Sequence, residues 1–173
     1  INSYAKDSSG VDITDGSLSD GAITQLYGCN GSQAQQFQFT KQSDGSYVIT
    51  NVGSGKALDV ASGQAYDNAT VRQWSPNGSA AQRWVIRDSG AGYYIQSALG
   101  NWVLDVRSGI TSDGTVISLY EPNSTKTQKY RLSSVSASIP LNVKTAITST
   151  INGSLAMDIP QALSGNGGRV QLN

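Results

Sequence analysis

The sequence predicts an all-β protein in which three copies of one four-stranded unit form a closed barrel with pseudo-three-fold symmetry, followed by part of a fourth copy. One observation is a repeat of reference aspartates spaced by 47, 46 and 53 residues, at Asp12, Asp59, Asp105 and Asp158. Another is composition, because 19 glycines and abundant Ser, Thr, Asn and Gln favour short strands joined by tight turns. A unit of this length also fits a propeller blade, but three copies followed by a linker favour the barrel, since propellers have at least four blades.

The repeat is kept at five positions of each complete unit. Counting from the reference aspartate, an aromatic residue follows at +15, an asparagine at +18, a glutamine at +23 and a second aromatic residue at +25. Unit two has Asp59, Trp74, Asn77, Gln82 and Trp84 at these positions. The matching residues are Asp12, Tyr27, Asn30, Gln35 and Phe37 in unit one, and Asp105, Tyr120, Asn123, Gln128 and Tyr130 in unit three. The fourth copy has Asn173 where the +15 aromatic residue belongs, so it lacks one part of the pattern.

These offsets divide the chain into a domain of residues 1–134 and a segment of residues 135–173. The domain holds unit one (1–42), unit two (43–89) and unit three (90–134). Each unit carries at +8 a dipeptide suited to a tight hairpin turn, which we interpret as structural. These dipeptides are Asp20-Gly21, Asp67-Asn68 and Asp113-Gly114.

The segment of residues 135–173 is predicted to be a linker and a partial fourth unit. It opens with a Ser-rich stretch that ends at Pro140, a composition typical of linkers. The segment either begins a neighbouring domain of the same kind, or its residues 144–149 pair with unit one. The second alternative arises because Ile1 aligns with Ile95 of unit three, so the first strand of unit one lacks its opening residues.

Charge and residue usage exclude several classes of function. Twelve basic and twelve acidic residues, without a run of like charges, argue against a nucleic-acid-binding protein and against a polybasic membrane contact. No apolar run is long enough to span a membrane. The chain has no histidine, which removes the Ser-His-Asp triad and imidazole metal ligands, and no loop has the oxygen ligands that Ca²⁺ requires. Cys29, the single cysteine, is interpreted as a loop residue without a redox role.

The segments Leu58-Asp59-Val60, Val71 to Trp74 and Gln82-x-Trp84 together resemble the QxW repeat of ricin B-like β-trefoil lectins, also classed as family 13 carbohydrate-binding modules. The resemblance covers three units and most of a fourth. It implies a β-trefoil, in which the first and fourth strands of each unit form the barrel wall and the second and third form a capping hairpin. It also implies one shallow sugar site per unit, near the aspartate and the +15 aromatic residue.

The residue types at these positions suit a sugar. An aromatic ring stacks on the apolar face of a pyranose, a carboxylate accepts hydrogen bonds from adjacent hydroxyls, and an amide both donates and accepts. The candidate binding residues are Asp59, Trp74 and Asn77 in unit two, Asp12, Tyr27 and Asn30 in unit one, and Asp105, Tyr120 and Asn123 in unit three. Gln25 joins unit one because family members often place a sugar-contacting glutamine at +13, where the other units have Arg72 and Ser118.

The remaining repeat positions are interpreted as structural. The glutamines at +23 are expected to tie a loop to the barrel, and the aromatic residues at +25 are expected to lie in the core. The chain departs from the family pattern just before each of these glutamines, where many sugar-binding units have asparagine. Those positions hold Ala34, Ala81 and Thr127.

Together these features predict a non-catalytic module that binds galactose- or xylose-type sugars or polysaccharides through up to three sites, without a cofactor or metal ion. Such modules resemble those attached to secreted bacterial glycoside hydrolases, so other domains of the same parent chain are expected partners. A glycosidase is disfavoured because it needs two carboxylates across one sugar, whereas the only glutamate is Glu121 and the reference aspartates occur one per unit. A trefoil that binds protein or spaces domains is the remaining alternative.

Overall fold

The computed structural model describes residues 1–135 and, further along the chain, the backbone of two strands, Met157–Asp158 and Gln171–Leu172. The chain divides into two units, Ile1–Val135 and Ser136–Asn173. The two strands of the second unit pair antiparallel, with Asp158 opposite Gln171. The predicted linker and the predicted pairing of residues 144–149 with unit one lie outside the described residues, and the partial fourth unit stays a prediction.

Residues 1–135 form the predicted β-trefoil of three four-stranded units. Unit one contains β1 (Asn2–Ser3), β2 (Ser9–Ile13), β3 (Thr24–Gly28) and β4 (Phe37–Lys41). Unit two contains β5 (Tyr47–Asn51), β6 (Ala57–Val60), β7 (Val71–Trp74) and β8 (Trp84–Asp88). Unit three contains β9 (Tyr93–Ser97), β10 (Val103–Val106), β11 (Thr115–Tyr120) and β12 (Tyr130–Arg131).

Each unit also contains two short 3₁₀ turns, one within the connection of the capping hairpin and one after the hairpin. The first follows the second strand of the unit, at Thr14–Gly16, Ala61–Gly63 and Arg107–Gly109. The second precedes the fourth strand, at Gln33–Gln35, Ala80–Gln82 and Lys126–Gln128. In units one and two the two turns contact each other beside the hairpin.

The barrel wall and the cap use the strands that the family resemblance implies. The wall follows the antiparallel pairs β1–β12, β12–β9, β9–β8, β8–β5 and β5–β4. The capping hairpins are β2–β3, β6–β7 and β10–β11. Unit one departs from the pattern because β1 has only two residues, and β4 pairs with β5 alone among the described strands.

The core is filled from both the wall and the cap. Its apolar residues include Val11, Leu58 and Leu104, one from each hairpin, which are almost completely buried. Trp84 and Tyr130, two of the predicted +25 core residues, are fully buried, and the Trp84 Nε1 donates to the Leu58 carbonyl at 3.0 Å. The third, Phe37, is only partly buried but packs against the same cluster, because it lies on β4, the strand with one partner.

The +8 turns also join neighbouring units. The second residue of each turn has the left-handed backbone conformation that the dipeptides predict, with φ of 90° at Gly21, 67° at Asn68 and 86° at Gly114. The prediction of a two-residue hairpin turn was wrong, because the dipeptide lies inside a longer connection between the hairpin strands, residues 14–23 in unit one. In each turn the preceding aspartate accepts a hydrogen bond from a backbone amide of the next unit around the barrel. These bonds run from Ser75 to Asp20 (2.7 Å), from Glu121 to Asp67 (2.9 Å) and from Gly28 to Asp113 (3.1 Å). The three bonds form a ring that no single hairpin contains.

One buried position breaks the three-fold pattern. Gln73 occupies the place on β7 that leucine holds in the other units, and it is fully buried. Its Nε2 donates to the carbonyl oxygens of Ser17 and Ser19, and its Oε1 accepts from the Ser54 hydroxyl at 2.7 Å. Burial is therefore compensated by hydrogen bonds on both ends of the amide. As a result, Gln73 of unit two holds the loop of unit one that borders site one, the candidate site of unit one.

Candidate functional site

Three equivalent cavities lie against the capping hairpins, one in each unit. Site one (Asp12, Gln25, Tyr27, Asn30) has a volume of about 460 Å³. Site two (Asp59, Arg72, Trp74, Asn77) has a volume of about 420 Å³, and site three (Asp105, Tyr120, Asn123, Thr127) about 500 Å³. Each cavity thus brings together the aspartate, the +15 aromatic residue and the +18 asparagine that the sequence singled out.

The hairpin register explains why the +13 residue lies beside each aspartate. Asp12 is directly opposite Gln25, Asp59 is opposite Arg72, and Asp105 is opposite Ser118. Directly opposed residues in an antiparallel pair project from the same face of the sheet, with their Cβ atoms about 5 Å apart. The +13 residue is therefore the nearest neighbour of the site carboxylate, and it differs in each unit.

The three aspartates are buried in similar surroundings. Their exposed fractions are 5% for Asp12, 3% for Asp59 and 7% for Asp105. A carboxylate held in this way loses little side-chain entropy when it accepts a hydrogen bond from a ligand. The three aspartates lie on strands of the capping hairpins and not on loops. The hairpin strands therefore fix the position of the acceptor oxygens.

The +23 glutamines have the structural role that was predicted for them. In each unit the glutamine Oε1 accepts a hydrogen bond from the backbone N–H of the +18 asparagine, at 2.9 Å for Asn30 and Asn77 and 2.8 Å for Asn123. The Nε2 of the same glutamine donates to a carbonyl oxygen just beyond the third strand, at Gly28, Ser75 and Glu121. Each glutamine therefore holds the loop that carries the asparagine.

The asparagine side chains are divided between the loop and the cavity. The Oδ1 atoms of Asn30, Asn77 and Asn123 accept from the backbone amide two residues later, at 2.9, 3.0 and 3.1 Å. Within the described part of the chain their Nδ2 groups have no hydrogen-bond partner. Each asparagine is thus held by one end of its amide and has donors to offer a ligand at the other.

The rims of the cavities contain backbone strain that sequence reasoning missed. Asp15, Ser62 and Ser108 have φ of 56°, 59° and 56°, in the left-handed region that non-glycine residues rarely adopt. One of these residues borders each cavity. Strained residues of this kind cluster at ligand sites, where the surrounding structure holds them. The signal available in the sequence was the Asp-Gly or Ser-Gly pair three residues after the reference aspartate.

Site one has an open acceptor and an open ring. The Gln25 Nε2 donates to the Asp12 Oδ1 at 2.8 Å, and no described residue donates to the Oδ2. The Tyr27 side chain is 40% exposed. The lining contains a second carboxylate, Asp15, and no basic residue. Site one is therefore acidic, with an aromatic surface accessible beside a carboxylate oxygen.

Site two has the same parts in a different arrangement. The Arg72 Nε donates to the Asp59 Oδ1 at 3.0 Å, and the Gln82 Nε2 donates to the Asp59 Oδ2 at 3.2 Å. The Arg72 guanidinium lies over the Trp74 ring, with its Cζ 3.9 Å from the ring centroid. Both carboxylate oxygens and one face of the ring are thus occupied by protein groups. The sequence did not reveal this role of Arg72.

Site three contains the most weakly tethered carboxylate. Ser118, at +13, is too short to form the bond that Gln25 and Arg72 make, and the described donor to Asp105 is the Thr127 hydroxyl at 3.2 Å from the Oδ2. Burial raises the pKa of Asp105, and the nearby Gln128 amide and Thr127 hydroxyl oppose the shift. Thr127 is one of the residues that replace the asparagine of the family pattern, so the site has a hydroxyl where the family pattern has a side-chain amide.

The raised pKa of Asp105 predicts a stability cost at neutral pH. A carboxyl group whose pKa is higher in the folded state favours unfolding while it is ionised, and the cost disappears as acid protonates it. We therefore expect Asp105→Asn to raise the Tm at pH 7 and the difference from wild type to shrink as the pH falls. Thermal unfolding followed by circular dichroism across this range measures the effect.

Asp44 serves as a control because its pKa is shifted in the opposite direction to that of Asp105. Hydrogen bonds from the Ser46 hydroxyl and amide lower the pKa of Asp44, so this group stabilises the fold at neutral pH and loses that contribution as the pH falls through its folded-state pKa. Asp44→Asn is expected to lower the Tm at pH 7. An equal response of the two variants would contradict the assignment of burial as the cause at Asp105.

Two other kinds of feature are absent from the described residues. No group of three or more His, Cys, Asp or Glu side chains is arranged to hold a metal ion there. None of the described helices combines the length and the apolar character needed to cross a membrane.

Comparison with known proteins identifies the family. The family described as "Ricin-type beta-trefoil lectin domain-like" matches residues 4–74 and 33–120. The search of curated proteins gave no match. Among solved structures, the designed three-fold symmetric protein ThreeFoil is 32% identical with a TM-score of 0.75, and the alignment covers 78% of this chain and 96% of ThreeFoil.

Two natural proteins share the fold. An exo-β-1,3-galactanase, 1,3Gal43A from Clostridium thermocellum, is 32% identical with a TM-score of 0.73, over 78% of this chain and 29% of the galactanase. This chain therefore spans less than a third of that enzyme. The Rhizoctonia solani agglutinin is 21% identical with a TM-score of 0.69, over 75% of this chain and 89% of the agglutinin. From the family match and the three repeated units, the chain belongs to the ricin-type β-trefoil lectin-like domains.

Proposed function

We propose that this domain is a non-catalytic carbohydrate-binding module of the QxW type, classed as family 13, that binds galactose- or xylose-type sugars. The observation that carries the proposal is the recurrence of one arrangement in three cavities. Each cavity has a buried carboxylate, an aromatic ring beside it and an asparagine held by a glutamine. A fold needs only the tethers and the core, so the cavity-facing groups are best explained by a ligand with hydroxyls and an apolar face.

Sites one and three are the better candidates for neutral sugars. In both, the described residues leave one oxygen of the carboxylate without a hydrogen-bond partner. Two vicinal hydroxyls donate to such a group, and hydrogen bonds to a charged acceptor are roughly twice as strong as neutral ones. Tyr27 in site one and Tyr120 in site three supply the ring for stacking.

The wider role is inferred from the parent proteins of similar domains. The galactanase acts on galactan, and the region similar to this chain is less than a third of its length. We infer that this domain likewise holds a larger secreted or cell-surface protein, of bacterial origin and with glycoside hydrolase activity elsewhere, on its glycan. Several shallow sites on one module suit this task, because a polymeric ligand engages them together and gains avidity.

A glycan array with wild-type protein and Tyr27→Ala tests the proposal. The wild type is expected to bind galactose- or xylose-containing glycans, and Tyr27→Ala to weaken that binding by roughly tenfold, since aromatic stacking of this kind contributes on the order of 1 to 2 kcal/mol. Tyr66→Ala is the matched control, because Tyr66 is 56% exposed and lines none of the three sites.

The same glycans separate the alternatives. Absence of binding to any glycan would reject the proposal and favour a trefoil that binds protein or spaces domains. Hydrolysis of a bound glycan by the isolated domain would reject its non-catalytic part. A response of Tyr66→Ala equal to that of Tyr27→Ala would place the binding surface elsewhere.

A further inference from the structure

Site two differs from the other sites in the groups that face its cavity. Asp59, which is 4% exposed at its side chain, has one oxygen bonded to Arg72 and the other bonded to Gln82. The acceptor that sites one and three offer to sugar hydroxyls is therefore already used. The Trp74 face beside it is covered by the Arg72 guanidinium at 3.9 Å. Site two therefore offers a neutral pyranose neither a free carboxylate oxygen nor an uncovered aromatic face at this position.

Arg72 replaces them with a different binding group. Its side chain is 24% exposed and lines the cavity. Only its Nε has a hydrogen-bond partner among the described residues, so the two terminal nitrogens are available to a ligand. These two nitrogens form the planar fork that binds a carboxylate through two parallel hydrogen bonds. The bond to Asp59 and the stacking on Trp74 hold the fork in place before a ligand arrives.

The charged residues lining the three cavities also favour an anionic ligand in site two over sites one and three. The lining of site one contains Asp12 and Asp15 without a basic residue, and the only charged residue lining site three is Asp105. Both sites therefore repel an anionic sugar. In site two, Arg72 balances the charge of Asp59, and no other charged residue lines the cavity. An anionic ligand meets a guanidinium there without an opposing excess of negative charge.

We propose that site two binds a sugar carboxylate, as carried by uronic and sialic acids, through Arg72, whereas sites one and three bind neutral sugars. This inference rests on the proposed carbohydrate-binding function and assigns a ligand class to one of its sites. Asn77 supplies the neighbouring polar contact, because its Nδ2 faces no protein acceptor among the described residues. The residue at +13 thus determines which sugars each site accepts.

The test uses a matched pair of sugars and a local reporter. Galacturonic acid and methyl galactoside share one ring configuration and differ at C6 and in the methyl group on the anomeric oxygen, and the methyl ester of galacturonic acid removes the charge from the first. The three tryptophans give three indole N–H signals in a two-dimensional ¹⁵N spectrum, which Trp→Phe variants assign. We expect galacturonic acid to shift the Trp74 signal, and the neutral pair to leave it unchanged. Sialic acid in a parallel titration identifies which acidic sugar is preferred.

Exchange of the +13 residues supplies the variants. Arg72→Gln copies the +13 residue of site one and removes the guanidinium from the Trp74 ring. It is expected to weaken galacturonic acid binding by on the order of tenfold or more, as for loss of a charged hydrogen bond, and to let methyl galactoside stack on the exposed ring and shift the Trp74 signal. Arg72→Lys keeps the charge without the fork and is expected to lose most of the binding as well. Gln25→Arg in site one is expected to reduce methyl galactoside binding at that site.

The outcomes distinguish this inference from the proposed function. If methyl galactoside binds at sites one and three while galacturonic acid leaves the Trp74 signal unchanged, the inference is rejected and the proposed function stands. If Arg72→Gln binds galacturonic acid as tightly as wild type, the inference is also rejected. If galacturonic acid binds at site two and no neutral sugar binds the wild type, the neutral-sugar part of the proposed function fails instead.

Discussion

Trp84→Ala is expected to cost about 3 to 5 kcal/mol of unfolding free energy, the usual range for truncating a buried tryptophan. The Trp84 ring is fully buried within the core cluster, and its Nε1 donates to the Leu58 carbonyl at 3.0 Å. Removing the ring leaves a cavity and also an unsatisfied carbonyl oxygen in the cap. Denaturant unfolding monitored by circular dichroism measures the loss.

Two variants separate burial from other roles of tryptophan. Trp84→Phe keeps a ring, as unit one does at Phe37, and is expected to lose about 1 to 2 kcal/mol through the missing hydrogen bond and the smaller volume. Trp74→Ala removes a partly exposed ring outside the core and is expected to cost about 1 kcal/mol or less. A loss at Trp74 as large as that at Trp84 would show that the cap, and not the central core, dominates stability.

The double variant Asp12→Asn, Asp105→Asn is expected to abolish binding to a neutral polysaccharide. Each substitution removes a charged acceptor from one site, and a hydrogen bond to a charged group contributes about 1.5 to 3 kcal/mol, or roughly tenfold to a hundredfold in affinity. A polymer that engages two sites also gains an avidity factor on the order of a hundredfold or more. The two effects together predict a loss above a thousandfold, measurable by affinity electrophoresis.

The single variants make this expectation specific. Each retains one neutral-sugar site, so it is expected to lose avidity for the polymer while its remaining site binds a monosaccharide with unchanged affinity. Asparagine keeps an oxygen that accepts from Gln25 or Thr127, so the fold is expected to be preserved, as the unfolding curves will show. Binding by the double variant within about twofold of wild type would place the neutral-sugar sites outside these two cavities.

The repeat offsets predicted a three-fold barrel, and the family resemblance that they carry implied the β-trefoil and the location of the candidate sites. A spacing of +13 or +15 within a hairpin is a local quantity, because the strand register and the turn at +8 determine which side chains share a face. The same reasoning identified the +23 glutamines as tethers, which their two hydrogen bonds confirm. These features depend on residues less than half a unit apart.

Other features depend on contacts between different units, which the repeat offsets do not reveal. The ring formed by Asp20, Asp67 and Asp113 joins residues about 55 to 85 positions apart, so the turns looked self-contained in the sequence. Likewise, Gln73 interrupts the leucine pattern and donates to two carbonyl oxygens of the preceding unit. The partial exposure of Phe37 follows from the two-residue length of β1, which affects the wall rather than unit one alone.

The sequence by itself determined the architecture of this protein, three copies of one unit with an aspartate, an aromatic residue and an asparagine brought to one face of each hairpin. Only the tertiary structure decided how those equivalent residues differ. At Asp12 the neighbouring Gln25 amide leaves Oδ2 available. At Asp59 the Arg72 guanidinium bonds Oδ1 and covers the ring while Gln82 bonds Oδ2, and at Asp105 the serine at +13 leaves the carboxylate weakly tethered. The physical reason is that periodicity specifies where a side chain lies, whereas its availability to a ligand depends on the length and charge of the side chain packed against it.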